Sequence, residues 1–190
     1  LSERLLALAA AGGLRPLRLG RRDLLPIVQG GMGVGVSAHR LAGSVAAAGA
    51  VGTISSVDLR RHHPDLMARC GALESGGDVA ALKATIDAAN LEALRREIAA
   101  ARTLSQGRGL LAVNVMRAIS AYAETVRTAL EAGIDAVVVG AGLPLDLPDL
   151  ARDFPQALLV PILSDARGVQ LVIKKWERKK RLPDAIVIEH

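Results

Sequence analysis

Four glycines fall within six residues at Gly30-Gly31-Met32-Gly33-Val34-Gly35, directly after the apolar run Leu24-Leu25-Pro26-Ile27-Val28-Gln29. Glycine carries no Cβ, so a planar or charged ligand can lie directly on the main chain of such a turn. Its free N–H groups favour anionic or electron-rich ligand atoms. Further along, Asn114 interrupts an apolar run. A buried amide without partners costs about 1–3 kcal/mol, so Asn114 either bonds neighbouring backbone or meets a ligand. Gly140-Ala141-Gly142, Ser164-Asp165 and Glu189-His190 each close another apolar run. Met32 is read equally as ligand contact or core filler.

These residues need elements to position them. The run Leu24–Gln29 reads as a buried strand, and a helical pattern follows from Ser37, taken as its cap, to about Ala48. A short helix over Leu5–Ala11 and a basic connection from Arg15 to Arg22 precede it. Later strands are expected at Val51–Ser55, Leu110–Val115, Ala136–Gly140, Leu158–Leu163 and Ala185–Glu189. Helices are expected near Asp65–Ala68, at Asn90–Leu104 and Ser120–Ala132, near Leu147–Asp153 and at Arg167–Lys180, with a break at Gly76-Gly77. Continuous apolar strands alternating with helices imply an α/β fold with a parallel sheet buried on both faces. Small, polar or ionisable residues recur at the carboxyl ends of the strands, where such folds build their sites. Six unlike strand ends meeting at one site fit a barrel better than an open sheet.

Composition narrows the function classes. The chain has 190 residues, 51% hydrophobic and 2% aromatic, with net charge +5. The segment Lys174–Arg181 holds six bases and one acid and so carries the whole excess. Its expected role is a solvated helix face, and the absence of a dispersed basic surface argues against nucleic acid. No apolar run is long enough for a membrane span. Cys70 is the sole cysteine, which fits a reducing, cytoplasmic setting and a bland, partly buried thiol. His39 is expected on a helix surface and His62 and His63 in a solvated loop. Asp165 reads as the cap of the helix after it. No metal site is expected.

The blocks Pro26–Gly33, the Asn114 strand, Val139-Gly140-Ala141-Gly142-Leu143-Pro144 and Leu163-Ser164-Asp165 together resemble the nitronate monooxygenase (2-nitropropane dioxygenase) family, from about residue 24 to the end. The resemblance implies a partial TIM (β/α)8 barrel, about six of eight parallel strands, forming one domain over residues 1–190. It implies non-covalent FMN and oxidation of alkyl nitronates with O₂. Gly30, Gly31, Met32, Asn114, Gly140, Gly142, Ser164 and Glu189 would line the flavin site. Where relatives often carry a lysine on the fifth strand, this chain has Ser164-Asp165. The family's catalytic histidine follows the sixth strand in a Gly-Gly-His motif. The chain stops at Glu189-His190, and a full barrel needs about 250 residues. The expectation is therefore an N-terminal fragment, inactive alone, with no catalytic residue of its own and possible homo-oligomerisation through open edges.

Two other readings stand beside this one. A flavin-dependent enoyl-thioester (enoyl-ACP) reductase using NAD(P)H would share the barrel. Gly33-Val34-Gly35-Val36-Ser37-Ala38 also fits the G-x-G-x-x-G/A pattern of a Rossmann-type dinucleotide-binding domain, with Asp58 as a ribose-binding acid.

Overall fold

The computed structural model describes residues 2–74 and 78–189, so the Gly76-Gly77 break and His190 lie outside the described residues. Five strands run parallel and pair in chain order: β3 (Val51–Ser55), β4 (Leu110–Met116), β5 (Ala136–Gly140), β6 (Leu158–Leu163) and β7 (Val187–Ile188). The register places Ser55 beside Asn114, Asn114 beside Val138, Met116 beside Gly140, and Leu163 beside Ile188. Each strand neighbours the next one in sequence. A Rossmann sheet instead reverses direction at a switch point, so the dinucleotide-domain alternative, with Asp58 as ribose ligand, is set aside. Asp58 itself is occupied by ion pairs to Arg60 and Arg61.

Alternation along the strands divides the apolar residues into two clusters. Ile54, Leu111, Val113, Val115, Val137, Val139, Leu159 and Leu163 pack outward against the helices. Val51, Leu110, Ala112 and Ala136 face the concave side with Leu24, and Leu17, Leu19, Val138 and Leu158 pack onto them. The architecture is a partial TIM barrel with helices on its convex face.

The first expected strand forms only in part. Leu24 belongs to a hairpin, β1 (Leu17–Leu19) against β2 (Arg22–Leu24), which caps the amino end of the concave face. Gly20 turns that hairpin with φ +57. Pro26 has no N–H to give to a ladder, so regular pairing stops there. The chain then meets β3 through a single parallel bridge, Val28 to Val51, with Gln29 N–H donating to the Val51 carbonyl at 2.9 Å. The basic connection from Arg15 to Arg22 is thus largely hairpin, and Arg22 reaches Asp135 at 3.2 Å.

The helices are α1 (Ser2–Ala11), α2 (His39–Ala47), α3 (Pro64–Glu74), α4 (Val79–Ser105), α5 (Tyr122–Glu131), α6 (Leu147–Leu150) and α7 (Ala166–Glu177). Helix α2 lies hard against β3: a Cβ on Gly52 would stand 1.9 Å from the Ala42 carbonyl oxygen. The long connection after β3 is a 3-10 turn (Leu59–His62), α3 and the start of α4. Leu66 and Cys70 bury it in the main core. Asp165 caps α7 as expected, accepting from Gly168 N–H at 2.6 Å.

Candidate functional site

The glycine-rich loop is held from both ends by two polar side chains. Gln29 Oε1 accepts from Thr53 N–H at 2.9 Å, and its Nε2 donates to the Thr53 carbonyl at 3.1 Å and to Ser37 Oγ at 2.9 Å. Ser37 Oγ accepts from Met32 N–H at 2.9 Å and donates to the Gly30 carbonyl at 3.2 Å. Ser37 is therefore not the cap of α2. That position falls to Ala38, which makes no side-chain capping bond. The serine hydroxyl is used instead to close the loop on itself, a local side-chain-to-backbone competition typical of serine.

The loop so fixed crosses the carboxyl ends of β3 and β4. A Cβ on Gly31 would lie 2.4 Å from Asn114 Cβ, and one on Gly33 would lie 3.1 Å from Ser55 Oγ. A Cβ on Gly30 would meet nothing within 4 Å, so its main chain faces open space. Asn114 is half-buried on the concave side, and its carbonyl accepts from Ser56 N–H at 3.1 Å. Among the described residues its carboxamide has no hydrogen-bonding partner. Met32, Val34 and Val36 are exposed around the loop.

A second group of the expected residues lies at the ends of β5, β6 and β7. Gly142, Ser164 and Glu189 line a cleft of about 560 Å³ with Leu143 and Ile162. Glu189 N–H donates to the Leu163 carbonyl at 3.0 Å, which carries the β6–β7 pairing up to the rim. Gly140 pairs with Met116 in β4 and packs on Ile162 below that cleft. All eight expected residues thus stand at the carboxyl ends of the strands. Gly31 touches Asn114, and Gly142, Ser164 and Glu189 share one cleft.

Two polar clusters escaped the sequence reading. Arg117, directly after β4, lies over the Tyr122 ring at 4.6 Å and reaches Asp146 at 3.3 Å. It also supports Gly142, whose Cβ would stand 3.3 Å from Arg117 Cβ. Burial, reinforced by the Asp146 charge and opposed by Arg117, pushes the Tyr122 phenol well above its ordinary range. The second cluster corrects the histidine expectation. His39 and His63 turn onto Glu97 of α4, which is 1% exposed. Glu97 Oε2 accepts from His39 N–H and stands 2.7 Å from His39 Nδ1. His63 Nε2 is 3.1 Å from Oε1, close enough for an ion pair though not aligned as a hydrogen bond. Glu97 shares its stripe with Ala93, Leu94, Ile98 and Ala101, all buried. An acid on an apolar helical stripe is the signal that could have found it. His62 is exposed, as expected. Among the described residues no group of three or more His, Cys, Asp or Glu side chains could hold a metal ion. Nor is any helix there long and apolar enough to cross a membrane.

Fold and site together define a partial TIM barrel with a candidate ligand site at the carboxyl ends of its strands. No protein-family model matches the sequence, and no curated protein matches it significantly. Solved structures share its fold. FabK from Thermotoga maritima superposes with a TM-score of 0.58 at 18% identity, over 86% of this chain and 40% of that one. A point variant of the same protein gives 0.58 and 18%, over 86% and 42%. Nitroalkane oxidase from Streptomyces ansochromogenes gives 0.34 at 18% identity, over 86% and 64%. The likeness to FabK is one of fold, and the chain spans 40% of that protein's length.

Proposed function

We propose that this chain supplies part of the FMN site of a flavin-dependent oxidoreductase that oxidises alkyl nitronates with O₂. The observation that carries the reading is the seating of the stapled glycine loop against Asn114: bare main chain at Gly30 beside a carboxamide without a protein partner. The fold likeness to FabK supports the barrel on which such a site would stand. The residues fit the group. Main chain at Gly30 admits a flat ring where a Cβ would intrude, Gly31 lets the loop sit down on Asn114, and Asn114 offers both a donor and an acceptor to the ring's polar edge. Gly142, Ser164 and Glu189 would hold the opposite side, with Gly140 keeping the strand end narrow. Met32, Val34 and Val36 would exclude water from above. Once bound, flavin supplies the electron-transfer chemistry, and the protein's part is binding, orientation and electrostatics. No residue of this chain is assigned as the acid or base. The buried free thiol Cys70 supports a cytoplasmic location.

Reduction of an enoyl thioester with NAD(P)H is the second reading. It would use the same flavin site, on the barrel whose fold likeness is to FabK. The first test is titration of FMN into the chain, followed by visible absorbance and size-exclusion chromatography. A yellow, stoichiometric monomer supports the proposal. A colourless species that self-associates through the exposed Val28 and Ile188 edges overturns it for this chain. In an FMN-loaded protein that joins this chain to a complete barrel, oxygen uptake with propionate 3-nitronate, against NAD(P)H oxidation with an enoyl thioester, then separates the two reactions.

A further inference from the structure

The basic run Lys174–Arg181 is not simply the solvated face of a helix. Helix α7 ends at Glu177, and the run continues around its end. Lys179 Nζ donates to the Leu145 carbonyl at 2.8 Å and pairs with Asp149. Arg181 donates to the Ala157 carbonyl at 3.0 Å and to Asp184 at 2.6 Å. These bonds fold the run over α6 and leave a cleft of about 490 Å³ between them. Arg152, Arg178, Lys179, Lys180 and Arg181 line it, against one acid, Asp149.

That acid is already occupied. Arg152 holds Asp149 at 3.1 Å on one oxygen, and Lys179 takes the other. Among the described residues, Arg178 and Lys180 make no ion pair. Lys180 moreover adopts φ +57, a left-handed position just past a helix end where glycine is the unstrained residue. Of the five bases, Arg152 and Lys179 share Asp149 and Arg181 is held by Asp184, so Arg178 and Lys180 carry the positive potential of the concavity that the protein's own acids leave unmatched. Pro155, which lines the cleft, and Ala157, whose carbonyl holds Arg181, lie in the turn that leads into β6. The cleft therefore opens at the opposite end of the strands from Asn114 and Gly142. No aromatic side chain lines it, so a ligand would be recognised by its charges rather than by stacking.

We propose that this cleft is a binding site for a small anion carrying two or more phosphate groups. Arg178 and Arg152 supply forked donors to phosphate oxygens and Lys180 a point charge. The test is calorimetric titration of inorganic pyrophosphate into the full chain at low ionic strength. Saturable binding of one equivalent, weakening as sodium chloride is added, is expected. The double variant Arg178→Ala/Lys180→Ala should weaken it on the order of tenfold or more, as befits the loss of two charge-assisted contacts. Lys174→Ala/Lys175→Ala removes the same charge from exposed positions of α7 outside the cleft and should change affinity by less than about twofold. Should the double variant fail to fold by circular dichroism, either single variant, each at an exposed side chain, should show an intermediate loss. Absence of saturable pyrophosphate binding, or equal losses from both double variants, overturns the site. So does binding to phosphatidylglycerol-containing vesicles that pyrophosphate does not displace, because that marks a membrane-facing surface rather than a cleft.

Discussion

Gly31 is seated so closely on Asn114 that a methyl group at residue 31 would stand 2.4 Å from the Asn114 Cβ and 3.0 Å from its Cγ. Neighbouring Gly30 faces open space instead. Two adjacent glycines therefore have different reasons to be glycine, and alanine substitutions separate them. Gly31→Ala must push the loop off β4, so it should lower stability by about 1–3 kcal/mol and abolish the flavin site together. Gly30→Ala should leave the urea midpoint unchanged yet weaken FMN binding by on the order of tenfold, since only a bound ring would meet the new methyl. Urea denaturation and quenching of FMN fluorescence report the two effects. Unaltered FMN affinity in Gly30→Ala would remove the ring from this stretch of main chain.

Burial geometry decided what could be read in advance. Val51–Ser55, Ala136–Gly140 and Leu158–Leu163 are strands at the expected bounds because parallel strands covered on both faces read as unbroken apolar runs. Leu24–Gln29 is equally apolar but carries Pro26, and Ile27 and Val28 stay exposed beyond one bridge. Hydrophobicity there reported an open edge, not a completed ladder. The hairpin was hidden because two three-residue strands built from Leu, Arg and Asp look like a charged linker. Asn114 was legible, since an amide in an apolar strand asks for a partner within its own neighbourhood. Glu97 was not, because its partner His39 is 58 residues away and only the packing of α4 on α2 joins them.

That long-range contact gives the second prediction. Helix α2 lacks a side-chain cap of its own, and Glu97 supplies the acceptor for His39 N–H from another helix. Glu97→Ala leaves that N–H, His39 Nδ1 and His63 without their carboxylate in a buried setting. A loss of about 1–3 kcal/mol is expected, the cost of leaving a buried donor without its acceptor. Glu97→Gln keeps one carbonyl oxygen for the His39 N–H and should cost clearly less. Chemical denaturation followed by the fluorescence of Trp176, the single tryptophan and fully buried, measures both. Equal losses for the two variants would remove the His39 N–H bond as the source of the effect.

Asp149 gives an acid-side prediction. Its hydrogen bond to Lys179, helped by that charge and by Arg152, holds its carboxyl below the ordinary value of 3.8. A carboxyl depressed in the folded state adds stability above the unfolded value and loses it as pH falls through the folded one. The pair joining α6 to the end of α7 should therefore contribute above pH 3.8 and fade below it. Asp149→Asn should shift the urea midpoint downward at about pH 6 and have little effect at about pH 3. Because the carboxylate is exposed, the shift at the higher pH should be small and should shrink with added salt. A difference between variant and parent that persists unchanged at the lower pH would assign it to packing.

Tyr122 gives the alkaline counterpart, and it is unusually easy to read because the chain holds a single tyrosine. The phenol is buried on α5 beneath Arg117, with the Asp146 carboxylate beside it. Burial penalises the phenolate, Asp146 repels it, and the attraction of Arg117 does not compensate. The folded value therefore lies above the ordinary 10.0. A group that holds its proton more tightly when folded adds stability fully below its unfolded value, and that stability drains away as pH rises toward the folded value. Ultraviolet titration of phenolate should accordingly show no ionisation near pH 10.0 while Trp176 fluorescence remains native, and then a single step coincident with unfolding. Asp146→Asn removes the neighbouring negative charge and should bring the step to lower pH, while Arg117→Ala should move it higher or leave it locked to unfolding. Ionisation at the ordinary value in the native protein would mean that the Arg117–Tyr122–Asp146 cluster is open to water, and with it the support beneath Gly142.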